Sequence, residues 1–168
     1  FTDKSLAQNI SEAIKFESTK QSLQFLEELV ANNSRPKVLI AGCGTGNQVI
    51  SASRYKNAQI TAIDLSSSSL AYAIRKAREY GMDSIDFRKM DLLDVAALDD
   101  IFDTIECGGV LHHMEDPAKG LSALCKHMKP GGYIKLGLYS DIARQDIVKA
   151  RNRIKHVGIA STADSIRG

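Results

Sequence analysis

A chain of 168 residues with 43% hydrophobic and 25% charged residues and a net charge of +2 has the composition of one soluble globular domain. That length suffices to bury about two-thirds of the unfolded surface without metal or disulfides. The charge balance leaves no electrostatic footprint of a nucleic-acid binder, and no apolar run approaches the roughly 18 residues of a membrane span.

The first residue is Phe1 and no basic-then-apolar leader follows it, so the chain reads as an excerpt or a processed product. Over residues 5–31 the apolar side chains Leu6, Ile10, Ala13 and Ile14, then Leu23, Leu26, Leu29 and Val30, recur at three- and four-residue steps. That period predicts one or two helices. Residues 32–36 punctuate, and the short apolar run 37–41 reads as a central parallel strand. A helix is predicted over 47–55, and a second strand over 59–64. Ser66 to Ser69 then offer an N-cap for a helix that Gly81 ends. A short third strand over 84–89, a fourth over 101–107, a helix over 117–128 and a fifth strand over 133–139 follow, the last after the turn Lys129-Pro130-Gly131-Gly132. A basic helix over 141–156 completes the pattern.

Strands alternating with helices imply right-handed crossovers and a doubly wound α/β sheet, mainly parallel, with ligands at the carboxyl ends of the strands where their order reverses. The domain plan is a helical segment over 1–34, an α/β core over 35–140, and a helix and tail over 141–168.

The most informative stretch is Val38-Leu39-Ile40-Ala41-Gly42-Cys43-Gly44-Thr45-Gly46-Asn47, a strand that empties into three alternating glycines. Glycine lets backbone approach a ligand closely and tolerates positive φ. A dinucleotide fingerprint needs its third glycine where Asn47 stands, and no Gly-Lys-Ser or Gly-Lys-Thr closes a P-loop. The turn also carries no lysine or arginine, which suits a cationic sulfonium better than phosphates.

This G-x-G-x-G turn after the first strand, with Asp64 closing the second, resembles the class I, Rossmann-like S-adenosylmethionine-dependent methyltransferases over roughly residues 35–140. The resemblance implies the strand order 3-2-1-4-5 and S-adenosyl-L-methionine as cofactor. That family normally adds two further strands, which the residues after His156 are too few to supply. Either the chain is truncated there, or strand five is left as an open edge that invites self-association or poor solubility.

Site roles follow from the same resemblance. Gly42, Cys43, Gly44 and Gly46 would face the methionine end. Asp64 would accept both ribose hydroxyls, with an N-cap carboxylate as the alternative, and Leu65 would cover the adenine or join the core. Asp91 would accept the adenine amino group beside the Leu92 amide, with Asp94 a competing carboxylate and a turn cap the alternative for either, and Met90 departs from the family's usual small residue. Cys107 and Gly108 would hold the methionine ammonium through backbone carbonyls.

His112 and His113 are candidates for a general base, against a packing or capping role; no third ligand cluster supports a metal. Tyr139 and Ser140 either line an acceptor pocket or pack and cap; the basic helix offers an anionic substrate or nucleic acid a surface, but Asp141 and Asp146 interrupt its charge and no aromatics interleave, so it reads as a solvated face. Cys43, Cys107 and Cys125 are odd in number and lack a C-x-x-C pattern, which points to a reducing, cytoplasmic setting.

The leading expectation is methyl transfer to an unidentified, small-molecule acceptor. The alternative is a cofactor-binding module without transfer activity.

Overall fold

The computed structural model describes residues 35–55 and 57–157. The helical reading of residues 5–31 and the end of the tail lie outside the described residues. Five strands form one parallel sheet: β1 (Lys37–Ala41), β2 (Gln59–Asp64), β3 (Asp86–Lys89), β4 (Phe102–Gly108) and β5 (Met128–Gly137). Their spatial order is β3-β2-β1-β4-β5. The order reverses between β1 and β4, so the carboxyl ends of those two strands open onto one crevice.

Alternation along β1 feeds two cores. Val38 and Ile40 pack on one face with Ile60, Ala62 and the helical residues Val49, Leu70 and Ala77. Leu39 and Ala41 pack on the other with Ile63, Ile105, Cys107, Val95 and Leu124. A central strand covered on both faces has to be apolar at every position, and four of the five residues of β1 are buried. The covering helices are α1 (Asn47–Ser51), α2 (Ser67–Glu79) and α3 (Pro117–Lys126), with α4 (Asp141–Val157) following β5.

The helix starts obey local chemistry. Ser66 Oγ accepts the Ser69 N–H at the start of α2. Asp116 accepts the N–H groups of Ala118 and Lys119 at the start of α3, where Pro117 occupies the first position and needs no acceptor.

Two expectations need adjustment, and one element was not anticipated. The helix predicted over 47–55 is α-helical only to Ser51 and tightens to a 3₁₀ turn over Ala52–Arg54. The turn at Lys129 to Gly132 lies within β5: Phe102 pairs with Met128 while Thr104 pairs with Tyr133, so the extra residues bulge out of a continuing ladder. Residues after Asp91 form a 3₁₀ helix, Leu92–Leu98, whose seven residues are too few to print a period. The outer edge of β5 has no strand partner among the described residues.

Candidate cofactor site at the glycine turn

The cleft begins where β1 ends. Gly42, Gly44 and Gly46 all have positive φ, at 74°, 52° and 94°, and each has a different neighbour. A Cβ on Gly42 would meet Val110 Cγ2 at 2.2 Å; one on Gly46 would sit 2.9 Å from Ala73 Cβ and 3.0 Å from its Cα. A Cβ on Gly44 would meet nothing within 4 Å. Gly42 thus admits the loop after β4, Gly46 admits α2, and Gly44 leaves backbone facing open space.

Asp64 links the turn to β2. Its Oδ2 accepts the Gly44 N–H at 2.8 Å and its Oδ1 accepts the Ser66 N–H at 2.8 Å. The helix cap is Ser66, so Asp64 is not the N-cap of α2. One N–H on each carboxylate oxygen fixes the group while leaving acceptor capacity on both for paired hydroxyls.

Asp64 lines an open cleft of about 240 Å³ together with Gly42, Ile63, Leu65, Met90, Asp91, Leu92, Gly109, Val110, His113 and Met114. Leu65 is 63% exposed, which removes it from the core and leaves an apolar face at the cleft. Met90 supplies a second, polarizable apolar surface, and its backbone N–H extends the β2 ladder by donating to the Asp64 carbonyl. Asp91 Oδ1 accepts the Leu93 N–H at 2.9 Å, capping the 3₁₀ turn, and the residue still borders the cleft. Asp94 is exposed and lies outside the lining.

Gly44, Gly46, Cys43, Cys107, Gly108 and His112 are not part of the lining. Burial, with the Asp64 charge second, pushes the Cys43 thiol up to about 12, and burial raises Cys107 to about 11. Both thiols are packed in the core, where burial disfavours the reactive thiolate.

Gly108 is involved through its backbone: its carbonyl accepts Gln48 Nε2 at 2.8 Å, and a Cβ there would lie 2.7 Å from the same nitrogen. Gln48 Oε1 is buried without a partner, so two acceptors sit side by side where the glycine turn meets the end of β4. Sequence reasoning passed over Gln48. Its signal was an amide in the first turn of a helix that follows three glycines.

The two histidines diverge. His113 is exposed and borders the cleft. His112 turns onto Tyr139, with ring centroids 3.8 Å apart, and both of its ring nitrogens are buried without partners. Desolvation, then the nearby His113 and Arg144, lower its pKa and favour the neutral imidazole. Among the described residues no cluster of three or more His, Cys, Asp or Glu is placed to hold a metal ion.

A parallel 3-2-1-4-5 sheet with a glycine turn, a carboxylate closing β2 and an apolar cleft at the strand ends defines a Rossmann-like fold. Residues 38–132, more than half of the chain, match the methyltransferase domain family, and the chain belongs to that family, in its class I S-adenosylmethionine-dependent form. It is 43% identical over 122 residues to an uncharacterized protein of Synechococcus, covering 71% of this chain and 29% of that one. It is 36% identical over 99 residues to a ubiquinone biosynthesis O-methyltransferase of Paracidovorax citrulli, covering 58% and 41%. An S-adenosylmethionine-dependent methyltransferase from Clostridium acetobutylicum superposes with a TM-score of 0.54 at 28% identity, over 66% of this chain and 46% of that chain. The chain thus spans less than half the length of each of these proteins.

The residues present fit the cofactor. Leu65 and Met90 offer apolar surface for a base, Asp64 offers paired acceptors for a ribose, and Gln48 Oε1 beside the Gly108 carbonyl offers acceptors for an ammonium. Among the described residues no lysine or arginine borders the cleft to oppose a sulfonium.

Proposed function

We propose that this chain is the cofactor-binding and catalytic domain of a methyltransferase acting on a small-molecule acceptor. The observation that carries the reading is Asp64, fixed by the Gly44 and Ser66 amides at the rim of an apolar cleft. When bound, S-adenosylmethionine supplies an electrophilic methyl group on a good neutral leaving group, so positioning of the acceptor accounts for most of the rate.

The chain's own residues divide the remaining work. Asp64 and Asp91 would hold the ribose and the adenine amino group, with Leu65, Met90 and the Leu92 amide about the base. Gly42, Cys43, Gly44 and Gly46 shape the turn, and Cys107 and Gly108 contribute strand-end backbone. His113, on the cleft wall, would take a proton from a hydroxyl or amine acceptor. His112, neutral and turned onto Tyr139, belongs to the wall of the acceptor side.

O-methylation by the Paracidovorax citrulli relative supports an oxygen acceptor. The test is formation of S-adenosylhomocysteine with a panel of hydroxylated and amine acceptors. Turnover supports transfer, and cofactor binding without turnover on any acceptor supports the binding-module alternative.

The free edge of β5 offers backbone groups to another strand, from a second copy or from further sequence; a sharp monomer in light scattering at high concentration would count against self-association. Three free cysteines favour a reducing, cytoplasmic compartment.

A further inference from the structure

The loop after β4 and the residues after β5 meet beyond the carboxyl edge of the sheet. The Gly109 N–H donates to the Gly137 carbonyl at 2.9 Å, which brings His112 and Tyr139 together. Their rings lie 3.8 Å apart at 34°, and the His113 ring meets Tyr139 edge-on at 5.7 Å. On Tyr139 rests the Arg144 guanidinium, its carbon 4.0 Å from the ring centroid.

Arg144 departs from the solvated face expected of this helix. Every residue of α4 from Ile142 to Val157 is exposed except Arg144, which is half-buried. Ser140 Oγ accepts the Ala143 N–H and the Ser140 carbonyl accepts the Arg144 N–H, so the helix start holds the arginine over the tyrosine. Among the described residues its guanidinium makes no ion pair, although Lys37, Arg75, Lys76, Arg88, Lys119, Lys129 and Lys149 all do.

A stacked guanidinium keeps its in-plane N–H groups available in a fixed fork that matches carboxylate and phosphate oxygens. Beside it, both ring nitrogens of His112 are buried and unpartnered, although buried polar groups are normally satisfied. Among the described residues, a fixed cation without an ion-pair partner and an unsatisfied imidazole thus share one wall. That wall continues through His113 into the cofactor cleft.

We propose that Arg144, seated on Tyr139 beside His112, anchors an anionic group, carboxylate or phosphate, of the methyl acceptor. The inference rests on the methyltransferase reading. The anion would sit against the guanidinium edge, with a His112 ring N–H as a second donor, and the reacting hydroxyl or amine would extend past His113 toward the cleft. Acceptors lacking the anion would be selected against, because Arg144 would stay unpaired.

The test is binding to the S-adenosylhomocysteine-loaded protein, followed by NMR or calorimetry with benzoate, phenyl phosphate and neutral benzamide as probes. Expected is a preference of roughly tenfold or more for an anionic probe over benzamide, lost in Arg144→Gln and weakened in Tyr139→Leu, as for a hydrogen bond between charged groups. Preference for benzoate assigns a carboxylate, and preference for phenyl phosphate a phosphate. Equal binding of all three probes, no binding of any at millimolar concentration, or an unchanged preference in Arg144→Gln overturns the proposal. S-adenosylhomocysteine binding is read in the same samples. Its loss in the wild type would instead overturn the methyltransferase reading, and its retention in Arg144→Gln certifies that the variant is folded.

Discussion

Asp64 accepts the Gly44 N–H at 2.8 Å across 20 residues of sequence, so the turn that ends β1 is held in shape by the last residue of β2. The same carboxylate oxygens that would hold a ribose set the position of the glycine backbone. In the proposed reading fold and ligand binding would be joined at one side chain, while the neighbouring glycines would separate the two functions.

That separation is measurable. Gly44→Ala adds a Cβ to open space at φ 52° and should cost about 1–2 kcal/mol for the left-handed conformation. Gly46→Ala adds the same conformational strain at φ 94° and also drives a methyl to 2.9 Å from Ala73 Cβ, for a total of about 2–5 kcal/mol. Urea denaturation should rank Gly46→Ala as the less stable. Calorimetry should find Gly44→Ala folded, with cofactor affinity reduced. Equal stabilities would refute the packing role given to Gly46.

His112 predicts a pH effect of definite sign. Its folded pKa lies below its ordinary value of 6.5, because of desolvation first and then His113 and Arg144. Protonation then favours the unfolded chain, so its contribution to stability is complete above about pH 6.5 and is lost as pH falls through the folded value. An NMR titration should place the His112 midpoint below 6.5 and move it upward in Arg144→Gln. A midpoint at or above 6.5 in the wild type would contradict the stacked, desolvated geometry.

The thiols should sort by burial. Cys43 and Cys107 are buried, with pKa raised to about 12 and about 11, while Cys125 is exposed. Near pH 8 an aromatic disulfide reagent should titrate Cys125 alone in the native protein and all three thiols after denaturation. Rapid native reaction at Cys43 would mean that the glycine turn opens.

Much of this arrangement could be read from the residues. The apolar run into Gly42, the carboxylate 20 residues after Gly44 and the strand-helix alternation specify β1, β2 and the crossover logic, because each depends on local pattern. Features that depend on tertiary packing were less visible. Nothing in the sequence near Gly46 states that Ala73 will lie against it, and nothing near Arg144 states that Tyr139 will lie beneath it. The 3₁₀ turn over Leu92–Leu98 and the bulge within β5 were missed because a short element carries too few residues to show a period. Residue type named His112 and His113 only together as candidate bases, because nothing in the sequence says which of two adjacent side chains faces the cleft; their rings meet at 57° with centroids 4.2 Å apart, and His113 alone of the two borders it.

The central claim is that Asp64 holds the cofactor at the glycine turn, and calorimetric titration with S-adenosylmethionine and S-adenosylhomocysteine, with NAD as control, tests it most directly. The wild type should bind the first two at micromolar concentration and not the third. Asp64→Asn, verified as folded by its thermal melt, should lose roughly tenfold or more in affinity. Wild-type affinity in that variant, or a folded wild type that binds neither sulfur compound, would contradict the account.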